Sequence, residues 1–417
     1  MVKILFIHQN YPAQYKHLVE WLAARNEHKI VFLTQREVIR QPNNYQIIQY
    51  APDHQPPAAA YPYIAEFEKS CANGAKVADV CRDLAGQGFT PDIVIGHTGW
   101  GEMLFVKEQW RDVPVLSYFE YFYSASGGAV GFDPEFPISE AMPNIMSARN
   151  ATNHLSYEAC DLGQTATHWQ KQGYPESFHD KLHVTHEGIR TDLCKPNPDV
   201  SVNLGRVAGA VTREDEIFTY MARNMEPVRG FHIFMRALPE ILDARPNARV
   251  LIIGGKDVSY GRMPVEGDSY RAMLEREVGD KIDWARVHFL GKVEYEVFIA
   301  VMQLTRAHIY LTVPFVPSWS LMEAMSCAAP VISSNVAPVR EIVTDGETGS
   351  LVDFLDPQAL AAEVINVLAH QDHYRQIGAA ARRHITEHYD FSSHALHEQL
   401  GLINRLLPKH SQLMPSA

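Results

Sequence analysis

The sequence predicts an α/β protein built from two doubly wound domains, each with a parallel β-sheet covered by helices. Three observations support this prediction. Short apolar, β-rich segments alternate with helical patterns along the chain. The length of 417 residues exceeds one ordinary core and suits two domains with a tail. The composition, with 46% hydrophobic and 21% charged residues, is that of a globular protein.

The first half opens with Lys3 to His8, a short β-rich apolar run that we predict to be a central strand. A helix to about Arg25 follows, because Leu18 and Leu22 recur at helical spacing. The further elements predicted in this half are strands at 30–33, 45–50, 91–97, 113–119, 162–165 and 182–184, and helices at 63–84, 103–109 and 138–157. The fingerprint GxGxxG is absent after the first strand, so an NAD-binding domain lacks its signature here.

The second half repeats this alternation. Its predicted strands are at 217–221, 249–254, 287–290, 309–313 and 331–334, and its predicted helices at 231–244, 294–304, 319–327, 357–370 and 373–388. The triplet GGK at 254–256 is too short for the phosphate-binding pattern GxxxxGK[ST], which disfavours ATP hydrolysis. We predict a first domain at 1–198, a linker at 199–213, a second domain at 214–389, a terminal helix at 390–407 and a disordered tail at 408–417.

Charge and cysteine content restrict the partners and the compartment. The formal net charge of −12 argues against nucleic acid, because phosphate neutralisation needs clustered Lys and Arg. The five scattered cysteines lack CxxC spacing and indicate reduced thiols in a cytoplasmic protein. We expect neither a signal peptide nor a membrane span. Peripheral membrane association and the oligomeric state stay open.

Two polar residues end neighbouring predicted strands of the first domain. His97 closes the strand at 91–97, and Glu120 follows the strand at 113–119. The carboxyl ends of parallel strands share one edge of a sheet, so both side chains should face one crevice. A structural hydrogen-bonding role for His97 is the alternative. The aromatic stretch 118–123 offers a flat surface on which sugars stack, although such residues more often fill a core.

The stretch 307–350 is the most informative part of the second domain. A strand leads through a Pro-containing loop into a helix that carries Glu323. Helix N-termini attract phosphate, and a nearby carboxylate accepts sugar hydroxyls, so this stretch suits a ligand with phosphate at one end and ribose at the other. The alternative is structural, because Ser320 and Glu323 have the spacing of a capping box.

The chain resembles family 4 glycosyltransferases, which are retaining enzymes of the GT-B fold. The segments that carry the resemblance are LMEAMSCAAPVISS, REIVTDGETGSLV, HQNYPAQ, GHTGWGE, YFEYFY and GFDPEFP. The resemblance implies two Rossmann-like domains facing a central cleft, with a C-terminal helix crossing back to the first domain. It implies that Glu323 holds the nucleotide ribose and that His97 lies close to the donor sugar. Phe315, eight residues before Glu323, replaces the first glutamate of the family motif.

The resemblance also assigns two cations. Arg223 matches the family's arginine, and Arg229 stands where lysine is usual. Arg229 keeps its charge and adds bidentate donors, so both are predicted to contact a diphosphate; two solvated surface arginines are the alternative. The predicted catalytic residues are His97, Arg223 and Arg229; the donor-binding residues are Phe315, Pro317, Ser318, Trp319, Ser320, Leu321 and Glu323; the acceptor-binding residues are Asn10, Tyr11, Glu102, Glu120 and Tyr121.

These features predict a retaining glycosyltransferase that moves a sugar from a nucleotide-diphosphate sugar to a glycan or other hydroxyl acceptor in polysaccharide or glycoconjugate biosynthesis. UDP or GDP is the expected nucleotide, with no cofactor. No metal site is predicted, because no Asp-x-Asp motif ends a predicted strand. The rival hypothesis is a catalytically weak or inactive protein of the same fold that binds nucleotide or carbohydrate. An epimerase or a phosphorylase has less support.

Overall fold

The computed structural model describes residues 1–57, 60–205, 209–261, 263–264 and 268–414. The chain divides into two compact units. Unit 1 comprises Met1–Ser126, Pro137–Gly188 and Phe391–Ala417, and unit 2 comprises Gly127–Phe136 and Ile189–Asp390. Each unit contains its own parallel sheet, which confirms the predicted pair of doubly wound domains.

The sheet of unit 1 has seven parallel strands in the order β3-β2-β1-β4-β5-β6-β7. These are β1 (Lys3–Ile7), β2 (Lys29–Thr34), β3 (Gln46–Gln49), β4 (Ile93–His97), β5 (Val115–Tyr118), β6 (Leu162–Thr165) and β7 (Leu182–Val184). Along β1, Ile4 and Phe6 enter one core while Leu5 and Ile7 enter another. Both faces of the sheet are therefore buried at β1, which explains why the run from Ile4 to Ile7 is apolar throughout.

Helices cover both faces of this sheet. They are α1 (Lys16–Ala24), α2 (Ala65–Gly86), α3 (Val106–Gln109), α4 (Met142–Arg149), α5 (Ala151–Ala159) and α6 (His168–Gly173). Helix α1 packs Leu18 and Leu22 against the face that holds Phe6. Helix α2 packs Val77 and Cys81 against the opposite face. The helical spacing of these apolar positions is what places them in the core.

Unit 2 repeats this arrangement with six parallel strands in the order β12-β11-β10-β13-β14-β15, and it adds the antiparallel pair β8 and β9. Its strands are β8 (Ser201–Asn203), β9 (Ala210–Thr212), β10 (Ile217–Asn224), β11 (Arg249–Gly255), β12 (Val287–Gly291), β13 (Ala307–Tyr310), β14 (Val331–Ser334) and β15 (Ser350–Val352). Its helices are α7 (Phe231–Ala244), α8 (Tyr270–Val278), α9 (Tyr295–Leu304), α10 (Trp319–Ser326), α11 (Ala337–Arg340), α12 (Pro357–Ala369) and α13 (Gln371–His388).

The compact units differ from the predicted domain limits at two places. Segment 127–136 belongs to unit 2, since Phe132 packs against Phe354 with ring centroids 5.7 Å apart. Residues 189–198 also belong to unit 2, where the amide of Ile189 donates to the carbonyl of Tyr389 at 2.7 Å. These contacts join residues far apart in sequence, and they move the boundary from 198 to 188.

The predicted linker and the predicted tail are also corrected. The interval 199–213 holds the hairpin of β8 and β9, whose Val202 and Val211 are buried; residues 206–208 lie outside the described residues. The tail is ordered over 408–414, because Leu413 is buried and its amide and carbonyl are bonded to the Asn404 side chain at 2.6 and 2.7 Å. Residues 415–417 of that tail lie outside the described residues.

The last helix belongs to unit 1, as predicted. A π-helical turn at Phe391–Ala395 leads into α14 (Leu396–Leu406), which places Leu400 and Ile403 in the core beside β1. Within the described ranges, every helix is either too short or too polar to cross a membrane.

Candidate functional site

His97 closes β4, and its imidazole is fully buried. The ring stacks on Trp100 with centroids 4.6 Å apart and on Tyr118 at 5.3 Å. Its Nδ1 accepts the backbone N–H of Gly99 at 3.0 Å, so the proton of the neutral ring lies on Nε2. This Nε2 lies 3.5 Å from Oε2 of Glu120. The structure therefore brings together the two strand-end residues that the sequence placed at one edge.

A chain of hydrogen bonds holds the other oxygen of Glu120. His8 accepts the amide of Asn10 on Nδ1 at 2.8 Å and contacts Gln14 Oε1 through Nε2 at 2.8 Å. Gln14 Nε2 then donates to Glu120 Oε1 at 3.1 Å. Burial, followed by the nearby His97, keeps the pKa of His8 well below its ordinary value, so His8 is neutral at pH 7. The Glu120 carboxylate is thus oriented from one side by Gln14 and from the other by His97.

Glu102 does not fit its predicted acceptor role. Its carboxylate is fully buried and accepts the hydroxyl of Tyr50 at 2.9 Å. Burial raises the pKa of Glu102, which favours a protonated, structural group. Glu102, the last residue of the segment GHTGWGE, therefore connects the loop after β4 to Tyr50, which follows β3, and its buried carboxylate offers no surface to a ligand.

The other predicted acceptor residues are half-buried. The Asn10 amide supports His8, and the Tyr11 hydroxyl bonds the Tyr45 hydroxyl. The Tyr121 ring packs edge-on against Tyr123 at 5.2 Å. Next to this stretch, unit 1 has a cavity of about 410 Å³ whose lining includes Phe122, Tyr123, Met146, Asn150 and His154. The aromatic stretch therefore forms part of a cavity wall as well as part of the core.

Arg229 is the buried cation of unit 2. It ends the turn Pro227–Arg229 before α7, and only 8% of its surface is exposed. Its Nη1 donates to Thr312 Oγ1 at 2.9 Å and to the Tyr310 hydroxyl at 3.3 Å. The rings of Tyr260 and Phe315 each lie 5.5 Å from its Cζ. Because the hydroxyl partners are neutral, this side of the guanidinium carries a positive charge that an anion can neutralise.

The backbone around Arg229 explains why glycine follows it. Gly230 adopts a left-handed conformation with φ 64°, and a Cβ there would lie 2.6 Å from Leu311 Cβ. The turn therefore lies in close contact with Leu311, directly after the carboxyl end of β13, and so places Arg229 beside this end. Burial tends to lower the pKa of Arg229, but the facing phenols of Tyr310 and Tyr260 and the Glu226 carboxylate raise it overall, so the guanidinium stays charged.

Arg223 has a different environment. It lies in β10 and is exposed. Within the part of the chain that the structure describes, its guanidinium forms no hydrogen bond. To make its predicted phosphate contact, the Arg223 side chain would therefore have to move out of solvent when a ligand binds. The Arg229 side chain, by contrast, is already held in place by its hydrogen bonds.

Helix α10 carries Glu323, and the structural alternative, a capping box of Ser320 and Glu323, is wrong. The N-cap is Ser318, whose hydroxyl accepts the Ser320 amide at 3.3 Å. Glu323 lies one turn further in, and its carboxylate accepts the hydroxyl of Tyr295 at 2.6 Å. The Ser318 amide donates to the Tyr310 hydroxyl at 2.8 Å. Tyr310 therefore contacts both the helix start and Arg229.

The remaining predicted donor residues divide by burial. Phe315, Pro317 and Trp319 are half-buried and flank the start of α10. The Leu321 side chain is fully buried in the core of unit 2, so its predicted donor contact is wrong for the side chain. Sequence reasoning missed Tyr260, Tyr295, Tyr310 and Thr312, because no local pattern distinguishes a hydroxyl that faces a charged group distant in sequence.

A second polar group in unit 2 joins segment 127–136 to α7. Potential metal-ligand atoms of Asp133, Glu135 and His232 lie within 4.8 Å of one another. Both Glu135 oxygens are already bonded to the Arg236 guanidinium, at 2.6 and 2.8 Å. His232 Nε2 lies 2.8 Å from Asp133 Oδ2. Since a cation would have to displace Arg236, we interpret this group as an anchor for the segment.

Neutralising Asp133 is expected to destabilise the protein at pH 7. Burial disfavours the Asp133 carboxylate, but His232, the Glu135 amide and the Arg236 charge outweigh burial and lower its pKa. A lowered folded-state pKa adds stability above the unfolded pKa of about 4, and this stability is lost as pH falls through the folded-state pKa. We expect Asp133→Asn to cost about 1–3 kcal/mol in urea unfolding at pH 7, with the difference narrowing below about pH 4.

The matched control for this prediction is Asp372→Asn. The Asp372 side chain is fully exposed and lies 3.7 Å from Arg375, so its substitution should leave the unfolding curve nearly unchanged. Equal unfolding curves for Asp133→Asn and the wild type at pH 7 would show that the ion pair does not anchor the segment.

The second unit thus holds a fixed cation beside the start of a helix that follows a parallel strand and carries a carboxylate in its second turn, an arrangement typical of nucleotide-binding α/β proteins. Two family models match the chain: Glycosyl transferase family 4 group over residues 26–194 and Glycosyl transferases group 1 over residues 208–384. The chain belongs to the family 4 glycosyltransferases, as its motifs predicted.

Individual relatives are distant. The chain is 25% identical over 297 residues to a D-inositol 3-phosphate glycosyltransferase of Streptomyces scabiei, and the match spans 69% of this chain and 61% of that protein. Sucrose-phosphate synthase from Thermosynechococcus elongatus superposes with a TM-score of 0.71 at 19% identity, covering 97% of this chain and 98% of that one. Anabaena HepE, solved with UDP and glucose, gives 0.69 at 15% identity, covering 97% and 100%. These structures support the GT-B fold.

Proposed function

We propose that this chain is a retaining, metal-independent glycosyltransferase that moves a hexosyl unit from a UDP- or GDP-sugar to a hydroxyl of a glycan or glycoconjugate. The observation that carries the proposal is the placement of Arg229. Its guanidinium is charged and fixed by Thr312 and Tyr310, and the same Tyr310 hydroxyl binds the start of α10. A diphosphate at this position would meet a fixed cation and a positive helix end together.

The chemistry follows from these two charges. When the bond between the sugar and the diphosphate breaks, negative charge develops on the leaving oxygen, and Arg229 and the α10 dipole stabilise it without reorganising. The acceptor hydroxyl attacks the same face of the sugar and gives its proton to the departing phosphate, which accounts for retention. We assign no protein nucleophile. The arginines and the helix end supply the positive charge that this step needs, so a divalent ion is not required.

Other residues receive binding roles. Arg223 approaches the phosphates from β10, and Glu323 accepts the ribose hydroxyls. The predicted contact of His97 with the donor sugar requires its buried ring to become accessible when a ligand binds, while the carboxylate of Glu120, held by Gln14, accepts a hydroxyl of the acceptor. Synthesis of a polysaccharide or a glycoconjugate in the cytoplasm is the proposed role.

The second candidate is a protein of this fold that binds a nucleotide without turnover. Phe315 favours this candidate, because it replaces a carboxylate of the family motif. Its aromatic ring cannot accept hydrogen bonds from sugar hydroxyls as a carboxylate does. Binding through Arg229 and Glu323 would be retained in this candidate. Sugar release separates the two functions.

Wild-type protein is expected to be stabilised by one nucleotide class when it is screened by thermal shift against UDP-, GDP- and dTDP-sugars. Ligand at about 100 times its Kd adds about 2.7 kcal/mol, a rise of several degrees in Tm. Slow sugar release should accompany the shift. Stabilisation without release, even with acceptors added, would favour the inactive candidate, and no response to any nucleotide would refute the proposed site.

A further inference from the structure

Glu226 connects the end of β10 to the turn that presents Arg229, and it is fully buried. Its carboxylate accepts three consecutive backbone N–H groups. Ser259 lies 3.1 Å from each oxygen, and Tyr260 and Gly261 lie 3.0 and 3.3 Å from Oε2. Three amides that converge on one anion form a concave anion site. In this chain, the protein's own side chain fills that site.

Neighbouring residues attach the same loop at two further points. Asn224 Nδ2 donates to Ser259 Oγ at 2.7 Å, and the Met225 amide donates to the Gly255 carbonyl at 2.9 Å. Residues 224–226 therefore hold the chain that leaves β11 at its start and at Ser259. Of these contacts, only the Glu226 carboxylate reaches the amides of Tyr260 and Gly261.

Tyr260 is where this loop meets the candidate donor site. Its ring lies 4.9 Å from the Phe315 ring and 5.5 Å from Arg229 Cζ, although 46% of the residue is exposed. Packing alone therefore fixes Tyr260 only in part. The backbone bond to Glu226 supplies the remaining constraint, so the carboxylate acts on Arg229 through the position of Tyr260 as well as through its own charge.

We propose that Glu226 is a positioning residue for donor binding: it holds loop 256–261 so that Tyr260 and Phe315 enclose the Arg229 guanidinium in its diphosphate-binding orientation. This inference rests on the proposed function of Arg229. Glu226 does not touch the donor, since three amides already occupy its carboxylate.

The test compares Glu226→Gln with Glu216→Gln. Glutamine keeps the volume of Glu226 but turns one of its two acceptors into a donor that faces N–H groups. Glu216 immediately precedes β10 and pairs with Arg245 at 2.5 Å, so its substitution removes the same charge at the other end of the same strand. Hydrogen exchange of the 259–261 amides and the Kd values for UDP and GDP are measured for both variants and for the wild type.

We expect Glu226→Gln to speed exchange of the 259–261 amides at least about 10-fold and to weaken nucleotide binding about 10-fold, because the amides lose a buried acceptor. Glu216→Gln should leave both readouts unchanged, because Glu216 contacts Arg245 and not the 259–261 amides. Unchanged exchange in Glu226→Gln, or faster exchange with an unchanged Kd, would overturn the positioning role.

The two proposals fail in different ways. If the wild-type protein binds neither UDP nor GDP, the proposed function is refuted. The proposed role of Glu226 in donor binding is then refuted too, whatever the exchange rates show. If the wild type binds nucleotide and Glu226→Gln binds it equally well, only the positioning role is lost.

Discussion

Arg229→Ala is expected to lower kcat/KM for the donor by at least about 100-fold while the protein stays folded. The guanidinium faces the position proposed for the leaving diphosphate, and loss of one such fixed donor costs about 2.7–4 kcal/mol of transition-state stabilisation. Its hydrogen-bond partners, Thr312 and Tyr310, are neutral hydroxyls, and the nearby buried Glu226 carboxylate keeps its three backbone N–H donors when the guanidinium is removed. The measurement is sugar transfer or donor hydrolysis with the nucleotide sugar that stabilises the wild type.

Two further variants make this prediction specific. Arg229→Lys keeps the charge but loses the planar fork, so we expect a loss of about 10-fold, between wild type and alanine. Arg375→Ala removes a largely exposed arginine of the same unit and should leave activity unchanged. If Arg229→Ala keeps activity within about threefold of the wild type, the diphosphate does not bind at Arg229.

The strands and the main helices could be predicted because burial on both faces leaves a local signal. The predicted strands at 162–165, 182–184 and 331–334 and the helix at 231–244 match the observed limits. In β1, every residue from Ile4 to Ile7 is buried, so the apolar run is continuous. Such segments differ in composition from the polar loops between them.

The features that could not be predicted depend on contacts between distant residues. Helix α8 was missed because only Leu274 and Val278 are buried in it, which gives a weak helical pattern. The ordered tail depends on Asn404, which bonds both backbone groups of Leu413. The membership of segment 127–136 in unit 2 depends on pairs such as Arg236 with Glu135. The sequence near each of these segments does not indicate which distant residue the segment contacts.

The candidate site shows the same division. His97 and Glu120 could be placed together, because the carboxyl ends of parallel strands share an edge. The burial of Glu102 and of the Leu321 side chain could not be predicted, since both residues follow segments whose sequences are typical of exposed loops. Glu226 was visible only as an acidic residue before the Arg229 turn; the three amides that give it a role come from a loop more than thirty residues away.

Glu323→Gln is expected to weaken nucleotide binding about 10- to 100-fold. A carboxylate that accepts ribose hydroxyls forms charged hydrogen bonds worth about 1.5–3 kcal/mol, and an amide keeps only one of the two acceptors. The competing explanation is structural, because the same carboxylate accepts the Tyr295 hydroxyl at 2.6 Å and so joins α9 to α10. Burial and then the Glu323 charge raise the pKa of Tyr295, so its hydroxyl stays protonated and remains a donor.

Tyr295→Phe separates the two explanations. It removes the link between the helices but leaves the carboxylate, so a ribose-binding Glu323 predicts nearly normal nucleotide affinity in this variant and a clear loss in Glu323→Gln. A purely structural Glu323 predicts that both variants lose stability alike and that their affinities do not diverge. The wild type should also discriminate against 2′- or 3′-deoxynucleotides, and Glu323→Gln should bind them as well as it binds the ribonucleotide. If that discrimination survives in Glu323→Gln, another group binds the ribose.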